Sequence, residues 1–262
     1  MSFEPLVELA RLPFGVELHL PKGDLTGTLQ ICFWPAQRNL NRLASCEGAT
    51  AMFVRAANMQ MFTTAEQPAS ISMISRNYDA DFGRLDLRLR LENLPSESIN
   101  VFLALLAHLN LTREPLIGVS LSVIGDRVPQ ELLLVQKGLT KNIIGRPPQL
   151  PFKVVEPRSY AWREPIDIWL EFSDSLQPKD VEEIDAVMAT WGYLVAMGGF
   201  DLATENQEFM AELGSTSHIE PNLVRYSKEY FDAPGYSIDS AVNCARGLGR
   251  LGLRVISLTI EQ

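Results

Sequence analysis

Four acidic side chains in the segment DLATENQEFMAELG follow the spacing of one helical face. Each lies three or four positions from the next, and residues at that separation are neighbours on a helix surface. The four residues are Asp201, Glu205, Glu208 and Glu212. Glu182 and Asp185 add two carboxylates on an earlier helix candidate, which begins at Pro178. Because an acidic surface attracts a basic protein, these six residues are the candidate partner-binding site, and a solvated helix face is the alternative interpretation.

The segment GLGRLG, from Gly247 to Gly252, has the G-x-G-x-x-G spacing of a dinucleotide-binding loop. Such a loop needs a strand before it and a helix after it, so that the helix N-terminus meets the pyrophosphate. Here a helix pattern precedes the glycines and a strand pattern follows them, which predicts a glycine-capped helix end. The sequence also lacks a P-loop and the spacings H-x-x-x-H, C-x-x-C and G-x-S-x-G. We therefore predict no catalytic residue, no metal site and no cofactor.

The composition is that of an ordinary globular protein with an excess of negative charge. Of the 262 residues, 46% are hydrophobic and 21% are charged, and the net charge is −9. This charge disfavours nucleic acid and anionic membranes as partners and favours a basic protein. No apolar run approaches the ~20 residues that span a bilayer, and the first residues lack a signal-peptide pattern. Three scattered cysteines do not suggest a disulfide framework, so we predict a cytoplasmic protein.

Two parts of the chain share one pattern, in which an alternating apolar run is followed by a helix start. In Leu85–Glu92 four leucines alternate with polar residues, and Pro95 then opens a helix pattern. In Ile166–Phe172 the same alternation appears, and Pro178 opens the next helix pattern. A period of two predicts half-buried strands, and proline is well tolerated in the first turn of a helix.

Both parts have the neighbours that a β-α-β-β-α-β unit needs. The first has strands over 27–35, 70–77 and 117–123 and a helix over 47–62; the second has a weak strand over 193–200, strands over 221–231 and 253–261 and a helix over 237–252. We therefore predict an α+β protein of two tandem ferredoxin-like units with antiparallel sheets. The units span residues 1–126, which include an extra leading strand, and 164–262. A proline-rich connector arm over 127–163 packs on one or both of them.

Three functions are compatible with this organisation. The favoured prediction is a non-catalytic inhibitor of the immunity type, which neutralises a basic protein such as a bacterial toxin through its acidic surface. The first alternative is a small-molecule-binding enzyme or sensor with a cleft between the two units. In that case Arg76, Arg84, Arg88 and Arg90 could bind an anion, unless they pair with neighbouring carboxylates. The second alternative is a structural or assembly component that pairs through an exposed strand edge, with a homodimer as one option.

Overall fold

The computed structural model of the protein describes residues 14–20, 23–35, 40–62, 68–81, 83–112, 116–124, 146–160, 164–196, 214–229 and 237–262. Within these residues the chain forms two five-stranded sheets and four α-helices. This mixed architecture confirms the predicted α+β class. None of the helices described is both long enough and apolar enough to cross a membrane.

The N-terminal half contains the first sheet and two helices. Its strands lie in the order β1-β5-β2-β4-β3. They are β1 (Gly15–His19), β2 (Asp24–Pro35), β3 (Ser70–Asp79), β4 (Arg84–Pro95) and β5 (Leu116–Ile124). Helix α1 (Leu40–Asn58) connects β2 to β3, and α2 (Ile99–Thr112) connects β4 to β5.

The C-terminal half repeats this path through the second sheet. Its strands lie in the order β6-β10-β7-β9-β8. They are β6 (Lys153–Val155), β7 (Ile166–Phe172), β8 (Ser215–Glu220), β9 (Leu223–Lys228) and β10 (Val255–Glu261). Helix α3 (Pro178–Ala196) follows β7, and α4 (Ser237–Leu248) precedes β10. Each sheet has three antiparallel pairings and one parallel pairing. The parallel pairing joins the leading strand to the last one, β1 to β5 and β6 to β10.

The alternating runs form strands because one face of each run is apolar. In β4 the side chains of Leu85, Leu87, Leu89 and Leu91 are buried, and those of Arg88 and Arg90 are exposed on the other face. In β7 the buried set is Ile166, Ile168, Leu170 and Phe172. Each fully buried leucine or isoleucine contributes about 1.5–3 kcal/mol, so these two ribbons anchor the two sheets.

Helix α3 begins where the sequence predicts but extends further. Asp180 accepts a hydrogen bond from the backbone N–H of Gln177 at 2.9 Å, which closes the first turn. The predicted strand over 193–200 is wrong for residues 193–196, which belong to α3. Leu194 and Val195 are buried because they continue the helical spacing of Trp191. The second strand of the C-terminal path is β8, and residues 197–200 lie outside the described residues.

The helices of the two halves face each other. Helix α1 packs against α3, and the Arg55 guanidinium donates a hydrogen bond to the Ala186 carbonyl at 3.5 Å. At the last residue of α1, the Asn58 carbonyl accepts a hydrogen bond from the Arg250 guanidinium at 3.4 Å. The buried side chains of both halves belong to one continuous hydrophobic core. The two sheets therefore share a helical interior.

The predicted connector arm, residues 127–163, is described only over 146–160. Its strand β6 pairs parallel with β10, from Lys153 opposite Ser257 to Val155 opposite Thr259. The arm thus supplies the leading strand of the C-terminal sheet. The division of the chain into units over 1–126 and 164–262 stays a prediction.

Candidate functional site

Helix α3 presents the described part of the predicted acidic site. Glu182 and Asp185 of the predicted site are exposed, as is the neighbouring Glu183, and we call these three residues the α3 acidic surface. They lie opposite Ile184, Val187 and Met188, which are buried in the core. The other four predicted residues, Asp201, Glu205, Glu208 and Glu212, lie outside the described residues, so their role stays a prediction.

The carboxylates of the α3 acidic surface have no evident structural role. None of them forms a hydrogen bond or ion pair with another residue in the described part of the chain. Asp180, which lies in the first turn, already complements the positive end of the helix dipole, and that effect fades beyond the first turn. Two cations lie on or against the same helix: Lys179, which is exposed, and Arg55, which hydrogen-bonds the Ala186 carbonyl. Within the described residues, these three carboxylates are therefore exposed and without an ion-pair partner.

Two of the four candidate arginines form ion pairs with carboxylates. The Arg84 guanidinium binds the Asp86 carboxylate at 2.8 Å, and Arg76 binds Glu47 at 2.5 Å. These two pair with carboxylates, as the alternative interpretation expects. Arg88 and Arg90 are exposed and form no hydrogen bond or ion pair with the residues that the structure describes. Only the folded structure separates the paired arginines from the unpaired ones.

The three cysteines are free thiols whose surroundings keep them protonated. Burial and the neighbouring Asp86 carboxylate raise the pKa of Cys32 to about 11. Burial, with a contribution from Glu47, raises the pKa of Cys46 to about 12, and burial raises the pKa of Cys244 still further. The thiolate is the reactive form of cysteine, so these residues are inert near neutral pH. All three cysteines are buried, so they pack as small apolar residues.

The glycines of GLGRLG close a helix and lead into a strand. Helix α4 ends at Leu248, and Gly252 adopts a left-handed conformation with φ of 83°. Its backbone N–H donates to the Gly249 carbonyl at 3.2 Å, and β10 follows. The predicted glycine-capped helix end is confirmed. Within the described residues, no three His, Cys, Asp or Glu side chains come together so that they could hold a metal ion.

An ion-pair cluster fastens the connector arm to α4. The Arg146 guanidinium binds both oxygens of Glu156 at 2.5 and 2.6 Å, and its Nε donates to Asp239 in the first turn of α4 at 2.5 Å. The Tyr160 hydroxyl donates to Glu156 at 2.8 Å. Hydrogen bonds from Arg146 and Tyr160 hold the pKa of Glu156 below its ordinary value. No local sequence pattern indicates this cluster, because Arg146 and Asp239 are 93 positions apart.

We expect Arg146→Met to lower the free energy of unfolding by about 2 kcal/mol at pH 7, because two charge-assisted contacts are lost. The pKa of Glu156 is lowered in the folded state, so the stabilisation is complete above its ordinary value of 4.5 and is lost as pH falls below it. The difference between wild type and variant in urea denaturation should therefore shrink in acid. Arg158→Met, an exposed position on the same arm, is the matched control. A constant difference from pH 7 to pH 3 would contradict the role of Glu156.

The open face of the C-terminal sheet carries an aromatic side chain that is already engaged. The Arg225 guanidinium lies over the Trp169 ring at 5.3 Å from its centroid, and the indole N–H donates to Glu261 at 3.0 Å. Asp167 approaches Arg225 at 4.0 Å. An aromatic side chain that binds single-stranded nucleic acid stacks a base on an open face of its ring. Here the Arg225 guanidinium lies over one face of the Trp169 indole.

Comparison with known proteins does not assign the chain to a family. No protein-family model matches the chain, and no curated protein matches it. Among solved structures, the chain is similar to one described as the formyltransferase/hydrolase complex (FhcABCD) from Methylorubrum extorquens in complex with methylofuran. That match covers 93% of this chain and 90% of the other, with 12% sequence identity and a TM-score of 0.20. A score this low supports neither a shared fold nor a shared function.

Proposed function

We propose that the protein is a non-catalytic binding protein whose α3 acidic surface docks a basic protein partner. The observation that carries this proposal is the exposure of Glu182, Glu183 and Asp185 without a partner in the described part of the chain. Unpaired carboxylates on a rigid helix need not break an existing ion pair before they bind a cation. The net charge of −9 adds long-range attraction for a basic protein.

An inhibitor of the immunity type is the specific form of this function that we favour. A toxin that cuts nucleic acid has a basic cleft, and an acidic helix can enter it quickly through electrostatic steering. Asp201, Glu205, Glu208 and Glu212 would enlarge the surface if they continue the same face. The raised pKa values of the three buried thiols support a function without cysteine catalysis. A sequence with only three scattered cysteines suits a cytosolic location.

We also propose that the two halves are tandem ferredoxin-like units, over 1–126 and 164–262, joined by the arm over 127–163. The equal strand orders of the two sheets support this proposal, because each corresponds to a β-α-β-β-α-β path with one added leading strand. In this arrangement α3 belongs to the C-terminal unit, and the acidic surface lies close to the helix interface with the N-terminal unit.

Charge reversal tests the proposed docking surface. We expect Glu182→Lys combined with Asp185→Lys to weaken the complex with a basic partner at least tenfold, about 1.4 kcal/mol, because attraction becomes repulsion at two positions. The partner is isolated by pull-down from the source cell and identified by mass spectrometry, and its affinity is then measured by calorimetry at low and high salt.

The matched control changes the charge equally on another surface of the same half. Glu171→Lys combined with Glu220→Lys alters two exposed carboxylates at the sheet, and neither has a partner among the described residues. The proposal is supported if the α3 variant lowers the affinity for the basic partner and the control variant does not. Equal weakening by both variants, an affinity independent of salt, or recovery of a bound metabolite in place of a protein would reject it.

A further inference from the structure

Strand β3 has a long exposed edge at the end of the N-terminal sheet. It runs for ten residues, and no strand in the described part of the chain pairs with its outer side. All six residues from Ser72 to Asn77 are exposed. An exposed edge of this length offers unpaired backbone N–H and C=O groups to an added strand. The other outer strands, β1, β6 and β8, have five, three and six residues.

Apolar side chains accompany this edge on the side that faces the helices. Met73 lies opposite Leu89 and is 50% exposed, although its face of the sheet is the buried one. The register shifts between Met73 and Ser75, so Ile74 is the extra residue of a bulge and is 48% exposed. A bulge re-aims the side chain at its centre. The edge therefore exposes two large apolar side chains that an added strand would cover.

Basic side chains accompany the edge on the opposite, outer face. Arg90 lies opposite Ser72, and Arg88 lies opposite Ser75. Both arginines are exposed and unpaired within the described residues, in a chain of net charge −9. The side chains between them and the edge are serines, which are too short to block an arginine that extends across β3. Two acids lie on the same face of β4: Glu92 accepts a hydrogen bond from Ser70 at 3.1 Å, and Asp86 binds Arg84 at 2.8 Å.

We infer that the edge of β3, with Arg88 and Arg90, is a docking site for an extended acidic segment of a partner protein, which adds to the sheet as a further strand. Side chains alternate between the two faces of a strand. The segment would therefore carry acidic residues on the outer face, next to Arg88 and Arg90, and apolar residues on the helix side, next to Met73. This site is separate from the α3 acidic surface and has the opposite charge preference.

A second copy of the chain fits the edge less well than an acidic segment does. Pairing of β3 with its symmetry mate would bring two sets of Arg88 and Arg90 onto one face of a continuous sheet. The outer-face residues of β3 opposite these arginines are Ser72 and Ser75, and the one carboxylate on this face of β3, Asp79, lies at the far end of the strand opposite Arg84. Charge complementarity therefore favours a different, acidic occupant.

A ten-residue peptide of alternating glutamate and valine is the probe. Fluorescence anisotropy should detect its binding to the full-length protein, and a lysine–valine peptide of equal length should bind at least tenfold more weakly. Arg88→Ser combined with Arg90→Ser should weaken the glutamate–valine peptide at least tenfold. Arg158→Ser combined with Arg254→Ser removes the same charge from exposed positions elsewhere and should change the affinity less than twofold.

Backbone methylation of the peptide distinguishes strand addition from simple charge attraction. Alternate N–H groups of a strand point to opposite sides, so methylation of the valine nitrogens and methylation of the glutamate nitrogens block different edges. Strand addition predicts that one of the two methylated peptides loses binding and the other retains it. Equal binding of both, equal weakening by the two arginine pairs, or no binding at millimolar peptide would overturn the inference. A dimer in sedimentation that Met73→Lys dissociates would also overturn it, because the occupant would then be a second copy.

Discussion

The Gly247→Ala protein is expected to lose about 3 kcal/mol of its free energy of unfolding, at the upper end of the usual cost of overpacking. A Cβ atom at this position would lie 2.4 Å from the Met59 carbonyl oxygen and 2.8 Å from its carbonyl carbon. Both contacts are backbone atoms, so no side-chain rotation can relieve them. Gly247 lies in α4 and Met59 follows α1, so the two halves of the molecule must separate locally to admit one methyl group. Urea denaturation measures the loss.

Gly249→Ala is the matched control for this prediction. It lies two positions further along the same segment, and a Cβ there would meet no atom within 4 Å. We expect its free energy of unfolding to change by less than about 1 kcal/mol, because alanine is at least as favourable as glycine in a helical turn. Equal stabilities of the two variants would show that α4 does not contact Met59 closely and would contradict the described packing of the halves.

Gly192→Ala is expected to destabilise the protein by a similar amount, about 3 kcal/mol, although alanine favours a helix interior by about 1 kcal/mol over glycine. Gly192 lies within α3, and a Cβ there would lie 1.8 Å from the Tyr226 hydroxyl and 3.0 Å from the ring carbon that bears it. Tyr226 is fully buried, and its ring meets that of Trp191 edge to face at 5.9 Å. The tyrosine therefore cannot move aside without disrupting the core under α3.

A double-mutant cycle isolates this contact. Tyr226→Phe removes the hydroxyl, which accepts a hydrogen bond from the Gly214 N–H at 3.1 Å, and should cost about 1 kcal/mol by itself. Combined with Gly192→Ala, it should recover part of the loss, with a coupling energy of about 1–3 kcal/mol. Additive losses in chemical denaturation would mean that the hydroxyl does not fill the space beside Gly192.

The sequence predicts the elements best where local pattern and tertiary environment agree. The run Ile166–Phe172 matches β7 at both ends, and Pro178 begins α3 as expected. The prediction fails over 193–200, where a short apolar run suits either a strand or the buried side of a helix. Trp191, Leu194 and Val195 all point into the core, and that burial makes the segment continue α3.

The candidate sites depend on the structure to different degrees. The exposure of Glu182 and Asp185 follows from their helical spacing against Ile184, Val187 and Met188, so the sequence alone could predict it. The common face of Arg88 and Arg90 follows from the two-residue period of a strand. No local pattern predicts that these two arginines have no partner among the described residues, because Arg84, on the same face of β4, is paired with Asp86.

The class of the fold, the two alternating strands β4 and β7 and the exposed faces of β4 and α3 can be predicted from the sequence, because they depend on periods of two and 3.6 residues within one element. The strand orders, the facing helices of the two halves and the contacts of Arg146 with Glu156 and Asp239 depend on how the elements pack together. The tertiary structure also decided that β3 is the edge beside the unpaired arginines. These features depend on residues that are distant in the chain and meet only when the whole core has packed.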